Sequence, residues 1–114
     1  MAVRPIVYGA RYYFSGKRVS HWHLYRIGAD GRGRRQFTFG KADDTQPVWS
    51  PNGKWIAFSR VWQNNTHPNT VCMIRAGGGE VRTVFSVGSA WLFSAQWLSN
   101  THLLVHCYRS QGQH

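Results

Sequence analysis

Apolar positions in this chain come in short runs of five to eight residues, rich in Val, Ile, Phe, Tyr and Trp. Between them stand dense breaks: Gly9, Ser15-Gly16, Gly28 to Gly33, Gly40, Pro51-Asn52-Gly53, Asn64 to Asn69, Gly77-Gly78-Gly79 and Ser99-Asn100. Short β-branched and aromatic runs bounded by turn formers are strands joined by tight reversals. No stretch keeps a 3.6-residue apolar period long enough to make a helix. The pattern predicts strands near 6–11, 21–28, 34–39, 45–50, 54–60, 70–76, 81–86, 94–99 and 102–109. The fold class is all-β, with antiparallel pairing between successive strands.

These runs repeat. Leu24-Tyr25-Arg26-Ile27-Gly28-Ala29-Asp30-Gly31 aligns with Val71-Cys72-Met73-Ile74-Arg75-Ala76-Gly77-Gly78 at a shift of 47, matching Ile27 to Ile74 and Arg35 to Arg82. Trp49-Ser50-Pro51-Asn52 aligns with Trp97-Leu98-Ser99-Asn100 at a shift of 48. Ile6-Val7-Tyr8 stands where Ile56-Ala57-Phe58 stands in the next unit. A period near 48 with four strands in each unit is that of a β-propeller. The units read as an incomplete blade over 1–39, a full four-stranded blade over 45–86 and the start of another over 94–109. That is about two to two and a half blades, against the roughly four to eight of a closed ring. The expectation is a portion of a longer propeller, or else a homo-oligomer in which copies of the chain complete a ring.

The segment Asp43-Asp44-Thr45-Gln46-Pro47-Val48-Trp49-Ser50-Pro51-Asn52-Gly53-Lys54-Trp55-Ile56-Ala57-Phe58 closely resembles the repeat of TolB-like β-propellers. In that family an acidic residue and Pro lead into Trp-Ser-Pro-Asp-Gly, then Lys and an apolar strand. Asn52 stands here where the family has Asp, and Leu98-Ser99-Asn100-Thr101 departs further in the following unit. The resemblance implies a binding and scaffold role without catalysis, through protein-protein or ligand contacts, a bacterial envelope setting, periplasmic or extracellular, and a protein partner. Propeller portions of prolyl-oligopeptidase-type peptidases and oligogalacturonate lyases look similar at this level, so an enzyme portion is the alternative. The residues argue the motif on their own terms as well. Pro51 presets φ, Asn52 bonds local backbone and Gly53 accepts a positive φ. Pro47, Trp49, Ser50, Pro51, Asn52, Gly53 and Trp97 are therefore the structural motif, with Trp49 the expected anchor between blades.

Composition narrows the function classes. The 114 residues are 42% hydrophobic and only 16% charged, with six Trp, five Tyr and six Phe, enough to build a core. No apolar run is long enough for a membrane span as a helix. Fourteen Lys and Arg against four acids give a net charge of +10, with eight of the basic residues between Arg11 and Lys41. That field attracts anionic partners. No nucleic-acid motif accompanies it, so nucleic acid is disfavoured as a partner. Cys72 and Cys107 lack metal or redox spacing and are expected as two free buried thiols, with a bridge between them the alternative in an oxidising compartment.

Candidate chemistry is sparse. His21 and His23 alternate on one strand and His102 and His106 share a face, but Asp30, Asp43, Asp44 and Glu80 are too few to support a metal site. Asp43-Asp44 diverge on an extended chain and are expected to bond turn backbone. No serine forms a nucleophile elbow, and no glycine group forms a phosphate loop. No catalytic residue, metal or cofactor is assigned. The remaining candidates are the binding residues of the polar insertion, Trp62, Gln63, Asn64, Asn65 and His67, because exposed loops on rigid scaffolds carry recognition.

Overall fold

The computed structural model describes residues 4–14, 16–18, 20–63, 66–90 and 92–108. Eleven strands follow in chain order: β1 (Ile6–Ala10), β2 (Tyr13–Phe14), β3 (Lys17–Arg18), β4 (His23–Ile27), β5 (Arg35–Gln36) and β6 (Asp43–Trp49) come first. They are followed by β7 (Trp55–Val61), β8 (Asn69–Arg75), β9 (Arg82–Gly88), β10 (Leu92–Trp97) and β11 (Leu103–Tyr108). All pairings are antiparallel, and no helix occurs among the described residues. The all-β reading holds. None of the described residues forms a helix long and apolar enough to cross a membrane.

The centre is a four-stranded meander, β6-β7-β8-β9. On one side lies a three-stranded sheet, β1-β4-β5, and on the other the hairpin β10–β11. Strand alternation explains the sandwich, because successive side chains point to opposite faces. Ile56, Phe58, Cys72 and Ile74 leave the central sheet on one face and bury against Leu24 and Phe37, with Val7, Trp49 and Val81 at the margin. Ala57 and Val71 leave on the other and bury with Val87, Ala90, Phe93 and Ala95, flanked by Trp97, Leu103 and Val105. Each large side chain so buried contributes about 1.5–3 kcal/mol.

The sequence repeat reappears as register. Ile6 faces Ile27 in one sheet, and Ile56 faces Ile74 in the next. Tyr25 faces Gln36, and Cys72 faces Thr83, both at the 47-residue shift of the alignment. The hairpin β10–β11 repeats β6–β7 with a turn one residue shorter.

Several details depart from the sequence reading. The nine expected strands become eleven, since the short pair β2–β3 forms around Gly16 in a stretch read as a turn. β6 starts at Asp43 because Asp43 and Asp44 join the ladder opposite Val61 and Arg60. β10 runs over Leu92–Trp97 rather than 94–99, since Leu98 leaves the ladder and its N–H bonds the His102 carbonyl across the turn. Cys72 is buried as expected, but Cys107 is exposed near the end of β11, the outer strand of a sheet with two strands.

The motif residues build one turn and one bulge. Pro47 cannot donate to a ladder, and β6 breaks register between Thr45 and Val48, with Gln46 at φ 56°. Ser50 is fully buried: its hydroxyl donates to Asn52 Oδ1 at 2.8 Å and accepts the Trp55 N–H at 3.0 Å. Asn52 Oδ1 also accepts the Lys54 N–H, and Gly53 takes φ 72° to close the reversal. The Asn52 N–H then donates to Asn100 Oδ1 at 2.8 Å, joining two successive turns. Trp97 Nε1–H donates to the Val48 carbonyl at 3.0 Å, tying the hairpin to β6. Trp49 is half-buried at the margin of its cluster, with Arg4 over its ring, whereas Phe58 occupies the buried centre.

Candidate functional site

The end of the central sheet where β6 begins, β7 ends and β8 begins gathers most of the molecule's internal polar chemistry. Asp44 is fully buried and receives two bonds from Arg60, Nε–H to Oδ1 at 2.8 Å and an Nη2–H to Oδ2 at 3.1 Å. Arg60 is its cross-strand partner, so the sheet register itself makes the pair. Burial is the largest single influence and works against the Arg60 charge, but the hydrogen bond to Asp44 and the attraction of its carboxylate together outweigh it and leave the guanidinium pKa raised. The Asp44 N–H donates to the Trp22 carbonyl at 2.8 Å, joining β6 to the neighbouring sheet.

Asp43 points to different partners. Its Oδ1 accepts the Trp22 N–H at 2.9 Å, and its Oδ2 accepts Gln63 Nε2–H at 2.6 Å. His21 Nδ1 approaches Oδ1 at 3.3 Å but makes no aligned hydrogen bond there. His23 Nε2–H donates to the Gly40 carbonyl at 2.9 Å, which fixes its tautomer. The expectation that the two acids bond turn backbone is thus corrected in part. Asp43 does take a backbone N–H, but Asp44 is spent on a guanidinium that spacing alone did not disclose.

The polar insertion sits beside this cluster. Trp62 is half-buried, its N–H donates to Asn69 Oδ1 at 2.8 Å, and its ring stacks on His67 at 4.0 Å between centroids. Gln63 is turned back to Asp43, so its amide is occupied internally. His67 is exposed, with Nδ1 against the Thr66 hydroxyl at 2.8 Å. Asn64 and Asn65 lie outside the described residues. A shallow open groove runs past the loop, lined by Thr66, His67, Pro68, Asn69, Gly88 and Ser89. Of the expected binding residues, Trp62 and His67 come together, while Gln63 serves the base of the loop. Pro47, Trp49, Ser50, Pro51, Asn52, Gly53 and Trp97 cluster around the opposite half of β6 and its following turn, apart from the loop.

Asn69 was not anticipated. It is buried, accepts from Trp62 and donates its Nδ2–H to the Ala90 carbonyl at 2.8 Å, holding three segments together. Its position at the close of the Asn64 to Asn69 run was the available signal. Cys72 is buried between β7 and β9, and burial raises its thiol pKa, so it stays protonated and unreactive near neutral pH. Among the described residues no three His, Cys, Asp or Glu side chains converge as metal ligands. The arrangement offers a stacked aromatic pair and hydrogen-bonding groups on a braced loop, which is equipment for contact. No protein-family model matches the chain, and no curated protein matches it either.

Proposed function

We propose that this chain is a non-catalytic binding and scaffold module, built as adjacent blades of a TolB-like β-propeller and meeting a protein partner through its end loops. The observation that carries the reading is the shared register of neighbouring sheets, Ile6 with Ile27 and Ile56 with Ile74. Sheets cut to one template and stacked face to face are what a repeat architecture needs, since each unit buries its apolar faces against its neighbours. β6 touches both β10, the first strand of the following unit, and β1, the counterpart of β7 in the preceding one, which accords with neighbouring units packed side by side. The resemblance of residues 43–58 to TolB-like repeats supports an envelope setting, periplasmic or extracellular.

Within that module the stacked Trp62–His67 pair is the recognition element. A rigid aromatic on a braced loop offers contact area at low entropic cost. A photoactivatable amino acid at position 67, used in the cells that produce the protein, is expected to give one discrete protein adduct. The same probe at position 32, on the β4–β5 turn, is expected to give none. No adduct at 67, or the same adducts at both positions, would overturn the assignment of this loop.

A further inference from the structure

The outer half of the central sheet carries a second surface, on the face toward the β10–β11 hairpin. Register identifies its members, because residues directly opposite share a face. Trp55 faces Arg75, Ala57 faces Met73, Met73 faces Arg82, and Val71 faces Phe85. Ala57 and Val71 belong to the cluster under the hairpin, so the whole set lies on that side. The hairpin packs against β6 and β7, and a bulge at Val84 interrupts β9 beyond it. Arg75 and Arg82 are exposed there, and Phe85 is 55% exposed.

Both guanidiniums sit on one ring. Arg75 Cζ lies 4.6 Å and Arg82 Cζ 5.2 Å from the centroid of Trp55. Stacking on an indole orders a guanidinium and leaves its N–H edge open to a carboxylate. No acidic side chain among the described residues lies within ion-pair distance of either. The chain has only four acids to offer. Asp43 and Asp44 are buried in other contacts, Asp30 accepts the Arg32 N–H in its own turn, and Glu80, exposed in the turn before β9, forms no ion pair with either guanidinium. Two ordered, unneutralised cations beside exposed Phe85 and half-buried Met73 make a surface with both charge and apolar area.

The geometry points to a docking surface for an acidic, extended segment of a partner protein, with its carboxylates on Arg75 and Arg82 and an apolar side chain on Phe85. Carboxylates two residues apart on an extended strand lie on one face about 7 Å from each other, so a single segment can present both to the two cations gathered on this ring. A nucleobase is served less well, because the indole it would stack on already carries two guanidiniums. This names a partner chemistry for the binding role proposed above and rests on that role, but it uses a surface apart from the Trp62 loop.

The test is fluorescence anisotropy with a labelled hexapeptide carrying Glu at alternate positions and Leu and Ser between them. The full chain is expected to bind it, and Arg75→Gln with Arg82→Gln is expected to weaken binding by about tenfold or more. Arg32→Gln removes the same kind of charge from a distant turn and is expected to change it little. Arg75→Lys with Arg82→Lys keeps the charge but loses the planar fork, and is expected to fall between. Circular dichroism of each variant shows that the sheets are intact. Equal losses in the Arg32 and Arg75/Arg82 variants would reduce the effect to net charge and overturn the proposal. Tighter binding of a labelled oligothymidylate, lost in the same double variant, would assign the surface to nucleic acid instead. No binding by the intact chain would overturn this surface, while the crosslinking result at position 67 would stand or fall separately.

Discussion

Asp44 shows how much one buried carboxylate constrains. With Arg60 present its charge is matched by two short bonds; with Arg60→Met it is stranded inside the sheet. Breaking a buried pair from one side costs about 3–5 kcal/mol. Arg60→Met is expected to lower the unfolding free energy from urea titration by an amount in that range, and adding Asp44→Leu is expected to recover much of the loss. A double variant no more stable than the single one would show that Asp44 is not the stranded group. Titration gives a second expectation at this scale. Burial raises the Cys72 thiol from its ordinary value of 9.0, and burial followed by Tyr8 raises the Tyr25 hydroxyl from 10.0. Both groups ionise more readily in the unfolded chain. Their contribution is therefore complete below the unfolded values and is lost as pH rises past 9.0 and then 10.0. The urea midpoint is expected to fall between about pH 8 and pH 10.5, less steeply in Cys72→Ala. A midpoint independent of pH over that range would contradict it.

At the scale of elements, β6 is the informative strand. It carries a bulge where Gln46 sits at φ 56° just before Pro47, a backbone region that disfavours side chains with a Cβ. Gln46→Gly is expected to leave stability unchanged or raise it by up to about 1 kcal/mol, and Gln46→Val to lower it. Thermal melts of the two variants check the sign. The β10–β11 hairpin is tied to β6 by the Trp97 indole. Trp97→Phe keeps a ring, loses the bond to the Val48 carbonyl, and is expected to cost about 1–3 kcal/mol. Strand existence was legible in the sequence because Val, Ile, Phe and Trp runs alternate with Gly and Asn breaks. Strand limits were less so: Asp43 and Asp44 read as turn formers, yet their partners Val61 and Arg60 draw them into the ladder. The Asp44–Arg60 and Trp55–Arg75 contacts follow from cross-strand register, which composition does not encode.

Across the whole molecule the sheets differ in how well they are covered. The central sheet is packed on both faces, and the sheets β1-β4-β5 and β10–β11 each bury a face against it. Native-state hydrogen exchange is expected to be slowest in β7 and β8, faster in β10 and β11, and fastest in the short β2–β3 pair. Uniform protection across all strands would show that the sheets open together rather than from the outside. The repeat itself was legible, since the 47-residue shift seen in Ile27/Ile74 returns in the pairings Tyr25 with Gln36 and Cys72 with Thr83. The basic surface was legible only as a number. The +10 charge gave no hint that Arg75 and Arg82 converge on one indole, because they lie on different strands brought together by folding.

The bond from Asn52 to Asn100 spans one full repeat, 48 positions along the chain. Asn100 thereby presents, one unit on, a side-chain acceptor to the turn that holds Asn52. Copying a whole unit in tandem would keep the two turns in phase, whereas inserting half a unit would leave the asparagines facing the wrong neighbours. Inheritance of this architecture is thus expected to proceed by gain and loss of entire repeats, with the asparagine carried along as their common joint.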